Sequence, residues 1–373
     1  MIYRIMHLIS PLLLKKYDFS TDVLKDFEGP YIVMANHLTE VDMFMLMAAF
    51  PKHMFFVAGE HLTRSKHGRL ITWAQSPIYE YKGSVALDTV REVLEKIKGG
   101  NNVMIFPEGS RSFNGETPAL PESAAKLLKI AGCGLVTYRI EGGYFVAPRW
   151  AYTFRTGPMR GRITGKYSPA EIAAMTPGEL TEAINRGVYE NAYVRQRKDR
   201  LKYRGERLAE GLENYLVRCP ACGAFDSMET KDDSFRCTAC GQAGVYTEEG
   251  FLEGEGLRFD SVYDWGMWAE KETEQYVDGA DPDRPVFRDS GLLLYEVTPD
   301  HKQHDLAEGD LTGYKDRLEF GNRTFFFGGI PAMDMLYYGK SLLFTYEKRH
   351  LGLTGENFHA IKYHKLYKQY KKK

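Results

Sequence analysis

His37 lies in the stretch ANHLTEVD, residues 35–42, and Asp42 follows it five positions on, between two apolar runs. A carboxylate on one imidazole nitrogen fixes the tautomer and raises the basicity of the other. A pair built this way takes a proton from a hydroxyl. The chain contains no G-x-S-x-G elbow to give the pair its own nucleophile, so the attacking oxygen must belong to a substrate or to water. The same residues also read as a helix start beside a surface histidine, with Asn36 or Thr39 as the cap. Spacing alone leaves both readings open.

A second block, IFPEGSRS, occupies 105–112. Gly109 after Pro107-Glu108 permits a tight turn whose backbone N–H groups can face a ligand. Arg111 offers a planar fork that suits phosphate. Glu108 can hold that arginine or bind a substrate hydroxyl. A third cluster is cysteine: Cys219 and Cys222, then Cys237 and Cys240, form two Cys-x-x-Cys pairs with fourteen residues between them. Two such turns place four thiolates around one ion. Disulfides or a redox pair are the competing readings; where thiols stay reduced, structural Zn2+ is the stronger one. Four thiolates leave no open position for catalysis. Cys133 reads as a buried apolar thiol.

The first two blocks together resemble the glycerolipid acyltransferases, a family that includes 1-acylglycerol-3-phosphate acyltransferases. The family's Asn-His and following Asp are matched by Asn36, His37 and Asp42, and its Phe-Pro-Glu-Gly-Thr-Arg-Ser block by Phe106 to Ser112, with Ser110 in the threonine place. The resemblance spans roughly residues 25–155. In the second block the usual arginine is replaced by Lys82, in SPIYEYK, and the fourth-block strand GLVTYRIEGGY lacks its usual proline. The resemblance implies an O-acyltransferase of phospholipid biosynthesis. It would move an acyl group from acyl-CoA or acyl carrier protein to the hydroxyl of a lysophospholipid, with 1-acylglycerol-3-phosphate as the implied acceptor. His37 and Asp42 would be catalytic. Asn36, Lys82, Glu108, Gly109, Ser110 and Arg111 would bind substrate, with Arg139 and Arg149 adding positive charge, and backbone donors near Gly109 would face the oxyanion. An esterase using water at the same dyad, and a non-enzymatic binding protein built on the cysteine module, are the alternatives. That module resembles a zinc ribbon. Ribbons often bind nucleic acid, but Asp226, Glu229, Asp232 and Asp233 outnumber Lys231 and Arg236 here, so nucleic acid is not an expected partner.

Positioning these groups requires a sheet. YIVMA (31–35), MFFVA (54–58), IYEY (78–81), VMIF (103–106) and LVTYRI (135–140) read as strands. MFMLMAAF (43–50), 62–75, 86–98 and 121–132 read as helices, the third with Leu87, Val90, Val93, Leu94 and Ile97 on one stripe. Alternation predicts an α/β fold with a mostly parallel sheet flanked by helices, followed by a zinc ribbon and a small antiparallel β domain. The expected divisions are an acyltransferase domain over 1–175 and a helical connector over 176–216. A ribbon over 217–247, an acidic exposed connector over 248–285 and a β-rich domain with a basic tail over 286–373 follow. The run 286–347 weakly suggests a pleckstrin-homology-like module. In all, 373 residues with 43% apolar composition can bury more than one core. Net charge is −1, but 1–216 carries 29 Lys and Arg against 23 acids, and 217–373 carries 20 against 27. A basic first half suits an anionic substrate or membrane surface. No apolar run reaches the ~18 residues of a spanning helix, and no signal peptide is visible. The expected location is therefore cytoplasmic, peripheral to a membrane. Ile2, Ile5, Met6, Leu8, Ile9, Leu12 to Leu14 and the basic C-terminus are the candidate contacts.

Overall fold

The computed structural model describes residues 2–64, 68 and 76–372. Seven strands form the first sheet: β1 (Phe19–Thr21), β2 (Tyr31–Ala35), β3 (Met54–Gly59), β4 (Ile78–Glu80), β5 (Asn102–Ile105), β6 (Gly134–Glu141) and β7 (Met159–Tyr167). Their order is β1-β7-β6-β2-β5-β3-β4. All pairs are parallel except β6 with β7. Every residue of β2 is buried, as a central strand covered on both faces must be. The helix Leu87–Lys98 buries Val93 and Ile97 beneath it, while Leu87 at its start is exposed.

Two strands, β1 and β7, escape the sequence reading. In β7, MRGRITGKY, arginines and lysine alternate with small or buried residues, so an edge-side strand looks like a polar loop. The helix expected over 62–75 lies mostly outside the described residues; its start, Glu60–Arg64, is a 3-10 turn. The helix Pro177–Val188, from the segment expected to be a connector, packs on β6 and buries Leu180, Ile184 and Val188. It therefore belongs to the helical layer over the sheet.

The N-terminal helix Ile2–Leu14 divides its faces. Tyr3 donates to the Phe50 carbonyl at 2.9 Å, and Leu14 is fully buried. Leu8 and Leu12 on the other side are each about 70% exposed. No helix among the described residues is long and apolar enough to cross a membrane.

The cysteine segment is a small antiparallel sheet of β8 (Met228–Lys231), β9 (Ser234–Cys237), β10 (Ala243–Tyr246) and β11 (Leu252–Glu253). The acidic stretch is not the exposed connector expected. Its core is the helix Val262–Gly279, which buries Val262, Trp265, Ala269, Thr273 and Val277, one side of a helix whose acids face out. Seven further strands follow: β12 (Phe287–Val297), β13 (Gln303–Gly313), β14 (Arg317–Phe320), β15 (Arg323–Phe326), β16 (Met333–Leu336), β17 (Ser341–Tyr346) and β18 (Arg349–Thr354). They make one antiparallel sheet in the order β15-β14-β13-β12-β18-β17-β16. The basic C-terminus is not a solvated tail: Ala360–Lys371 is a helix that buries Tyr363, Leu366 and Tyr367 against this sheet and the helix Val262–Gly279.

The two larger sheets meet at the loop after β4. A side chain at Gly83 would meet the Leu343 backbone at 2.5 Å, and φ there is +78°. Thr345 Oγ1 donates to the Gly83 carbonyl at 3.0 Å.

Candidate active site

Ligands of open α/β sheets bind beyond the carboxyl ends of the parallel strands. His37 follows the end of β2, Phe106 to Arg111 follow its neighbour β5, and Lys82 follows β4. Three loops distant in sequence thus converge at one edge.

His37 Nδ1 lies 2.9 Å from Asp42 Oδ2. Asp42 is the first residue of the helix Asp42–Ala49 and is fully buried. Its Oδ2 also accepts from Leu38 N at 2.7 Å and Thr39 N at 3.0 Å, and its Oδ1 from Thr39 Oγ1 at 2.7 Å. Neither Asn36 nor Thr39 caps the helix, whose N-cap is Val41 without a side-chain cap; Asp42 itself ties down the chain entering its own helix and holds the imidazole with the same oxygen. The His37 ring stacks on Phe106, with centroids 4.1 Å apart and planes at 12°. Its side chain is about one quarter exposed. With Nδ1 engaged, Nε2 is the nitrogen that can take a substrate proton. Burial holds the imidazole below its ordinary pKa; Asp42 opposes that, and Arg111 and Lys82 add to it. The ring is therefore a neutral base at pH 7.

Glu108 does not hold Arg111. Its Oε1 accepts from the His37 backbone N–H at 2.9 Å, bracing the loop that carries His37, and its Oε2 is buried without a partner. Burial pushes the carboxyl up to about 8, although the His37 N–H pulls the other way. Arg111 pairs instead with Glu40, at 3.1 Å. Lys82 contacts the Gly109 carbonyl and pairs with Glu80 at 2.8 Å. Gly109 has φ +73°, as its turn requires. Its N–H is spent on the Phe106 carbonyl at 3.0 Å, so it is not a free oxyanion donor in this conformation.

Two expected substrate groups lie elsewhere. Asn36 is fully buried, and its amide bridges β2 to β6 by exchanging two hydrogen bonds with the Ile140 backbone, at 2.8 and 2.7 Å. No face of it is left for a ligand, and its role is to fix the loop that carries His37. Arg139, on β6, is paired with Glu141 and the Tyr189 carbonyl. Arg149 does reach the site: it donates to the carbonyls of Arg111 at 3.0 Å and Met335 at 2.6 Å, and covers the Phe113 ring at 4.3 Å. Sequence reading missed Asp334 altogether. This β16 residue accepts from Ser110 Oγ at 2.8 Å across 224 positions of chain.

The four cysteines form a separate site. Their sulfurs all lie within 4.8 Å of one another. Gly223 N–H donates to the Cys219 carbonyl and Gly241 N–H to the Cys237 carbonyl, each at 2.9 Å, with φ of +74° and +81° at the two glycines. Two equivalent turns thus aim four sulfurs at one point, and these residues could hold one metal ion. Cys133 is buried apart from them, its thiol pushed up to about 11 by that burial.

The family model named Acyltransferase matches residues 16–141. The 1-acyl-sn-glycerol-3-phosphate acyltransferase of Saccharomyces cerevisiae is 29% identical over 164 residues, 42% of this chain and 53% of the yeast protein. The chain thus spans about half the length of that relative. The crystal structure of the 1-acyl-sn-glycerophosphate (LPA) acyltransferase PlsC from Thermotoga maritima aligns over 50% of this chain and 77% of its own, with TM-score 0.42 and 20% identity. The matched segment contains the His37–Asp42 pair, the Lys82 loop and the block from Phe106 to Ser112. Over residues 16–141 this chain carries an acyltransferase domain, and in that segment it is similar to the glycerolipid acyltransferases.

Proposed function

We propose that this chain transfers a fatty acyl group from an acyl thioester, acyl-CoA or acyl carrier protein, to the hydroxyl of a lysophospholipid. 1-Acylglycerol-3-phosphate, named for the yeast relative, is the first acceptor to test. The observation that carries this reading is the 2.9 Å contact of His37 Nδ1 with buried Asp42, at the sheet edge where the loops of Lys82, Ser110 and Arg111 also end. His37 takes the proton of the acceptor hydroxyl as its oxygen attacks the thioester carbonyl. The C–S bond breaks, and the imidazolium returns the proton to the departing thiolate. Asp42 steadies the imidazolium in between. Ser110 and Arg111, with Lys82, face the acceptor's phosphate. The exposed Leu8 and Leu12 face of the N-terminal helix gives the enzyme a peripheral hold on the membrane that contains its substrates. The four cysteines hold a structural Zn2+, which fits a reducing, cytoplasmic location.

The test is product analysis with labelled acyl thioester and a panel of lysophospholipids. A labelled lipid ester, lost in a folded His37→Ala variant, is the expected result. Labelled free acid without ester would make the dyad a hydrolase. Ester formation by His37→Ala at the wild-type rate would remove the dyad from the mechanism.

A further inference from the structure

Asp334, on a strand of the C-terminal sheet, reaches the loop that follows β5. It accepts from Ser110 Oγ at 2.8 Å and lies 3.7 Å from the Arg149 guanidinium. Burial alone would raise its carboxyl; Lys82 and Arg149 outweigh that and hold it below the ordinary range, so it is an anion at neutral pH. The side chain is about one fifth exposed. Its backbone is fixed: β16 pairs with β17 from Met333 to Leu336, and Arg149 donates to the Met335 carbonyl. The remaining cations have carboxylates of their own, Glu80 on Lys82 and Glu40 on Arg111. Glu40 is exposed, so its pair is weak and readily exchanged. Asp334 is held more firmly than Glu40, and unlike Glu80 it accepts directly from Ser110.

We propose that Asp334 is a residue that sets acceptor headgroup selectivity: it competes with the acceptor's phosphate for Ser110 and Arg149 and penalises a doubly charged phosphate monoester more than a singly charged phosphodiester. This rests on the acyl-transfer reading above for its lipid substrates, though not for the anion site itself. The physical reason is that repulsion from a fixed negative charge scales with the ligand's charge, while the hydrogen bonds from Ser110 and Arg149 are the same for either headgroup. A specificity built on repulsion is read by removing the repelling group.

The variant is Asp334→Asn, which keeps shape: its amide oxygen keeps the Met335 N–H that Oδ1 accepts at 2.7 Å, and its amide nitrogen faces Ser110 Oγ, which turns to accept. Asp334→Ser is the second, in case the amide disturbs the Arg149 contact. Steady-state kinetics would compare 1-acylglycerol-3-phosphate with 1-acylglycerophosphoglycerol at saturating donor. The expected result is a KM about tenfold lower for the monoester, equivalent to about 1.4 kcal/mol, and a fall of about threefold or less for the diester. Calorimetry with glycerol 3-phosphate, which needs no turnover, should show tighter binding to both variants, and Ser110→Ala should erase the gain. Tighter glycerol 3-phosphate binding with no lipid ester made by any form would uphold the anion competition and sink the acyl-transfer reading. Ester formation with unchanged headgroup preference and unchanged glycerol 3-phosphate affinity would overturn the proposal and leave Asp334 as a strut between the sheets.

Discussion

Replacing Asp42 by asparagine separates the two jobs its carboxylate does. As Oδ2 accepts three hydrogen bonds and Oδ1 one, the geometry allows an amide in one orientation only. With the amide oxygen in the Oδ2 place, His37 Nδ1, Leu38 N and Thr39 N keep their acceptor. The amide nitrogen then faces Thr39 Oγ1, which turns to accept. That hydroxyl already accepts from Val41 N at 3.0 Å, but it has a second lone pair. Every partner atom is kept; what is lost is the charge and the acceptor of the Thr39 hydroxyl proton. Charged and neutral hydrogen bonds differ by about 1 kcal/mol each, so stability should fall by roughly 2–3 kcal/mol, with unfolding still cooperative. Catalysis loses more. The imidazolium formed during proton transfer no longer has an anion beside it, and at about 4 Å and an effective dielectric near 20 that interaction is worth about 4 kcal/mol. The expected fall in kcat is about 10²–10³. The acid limb of kcat/KM should also move down, because Asp42 is the group that raises His37 against burial. Asp42→Ala is the wrong experiment: four donors lose their acceptor, at roughly 1–3 kcal/mol for each left buried and unsatisfied, and the loop would not hold. The assay is lipid-ester formation across pH, alongside thermal unfolding. Wild-type kcat with an unmoved acid limb in folded Asp42→Asn would refute the dyad, whatever the geometry.

Three further outcomes follow from the same site and its neighbour. Arg111→Lys should raise the acceptor KM by about one to two decades and leave the donor KM nearly unchanged, because a point charge replaces a planar fork; kinetics with each substrate varied in turn would show it, and a change in the donor constant alone would put Arg111 on the thioester. Glu108 is raised from 4.5 to about 8 by burial, so the folded state keeps a proton that the unfolded state releases between those values. Its contribution is present below 4.5 and is lost as pH rises to 8, so the Tm of Glu108→Gln should fall less between pH 5 and 8 than that of the wild type; parallel Tm curves would deny that burial keeps a proton on Glu108. Cys219→Ser should remove the bound metal, read by elemental analysis of reduced protein, and lower the Tm; metal-free wild-type protein with an unchanged melting curve would dismiss the metal site.

What the sequence disclosed is what local forces decide. The strand Tyr31–Ala35 is legible because a central parallel strand must be apolar throughout, and the strand before Phe106 for the same reason. His37 and Asp42 share one loop, so their spacing survives into the structure. The acidic stretch was misread because composition averages over a helix turn: its acids dominate the count, while Val262, Trp265, Ala269, Thr273 and Val277 recur beneath them at helical spacing. The lysine-rich end hid Tyr363, Leu366 and Tyr367 in the same way. Arg139 and Arg149 look alike in sequence, yet Arg139 lies on β6, tied to Glu141 and the Tyr189 carbonyl, whereas Arg149 lies past that strand where the chain turns back over the site.

The charge of the site is the least local property of all. Lys82, Arg111 and Arg149 suggest a strongly positive cleft when read in order along the chain. In the fold each meets a carboxylate, and the carboxylates come from three places: two residues before Lys82, the loop beside His37, and a strand of a different sheet. The first two pairings follow from neighbouring loops at one sheet edge. The third exists only because Gly83 lets the backbone of β17 come close enough to seat β16 beside Ser110. Placing a larger residue at Gly83 should therefore act on the headgroup preference through Asp334, without touching His37 or Asp42. On the proposed mechanism the chemistry is carried by one loop of eight residues, while the net charge an acceptor would meet is set jointly by two sheets.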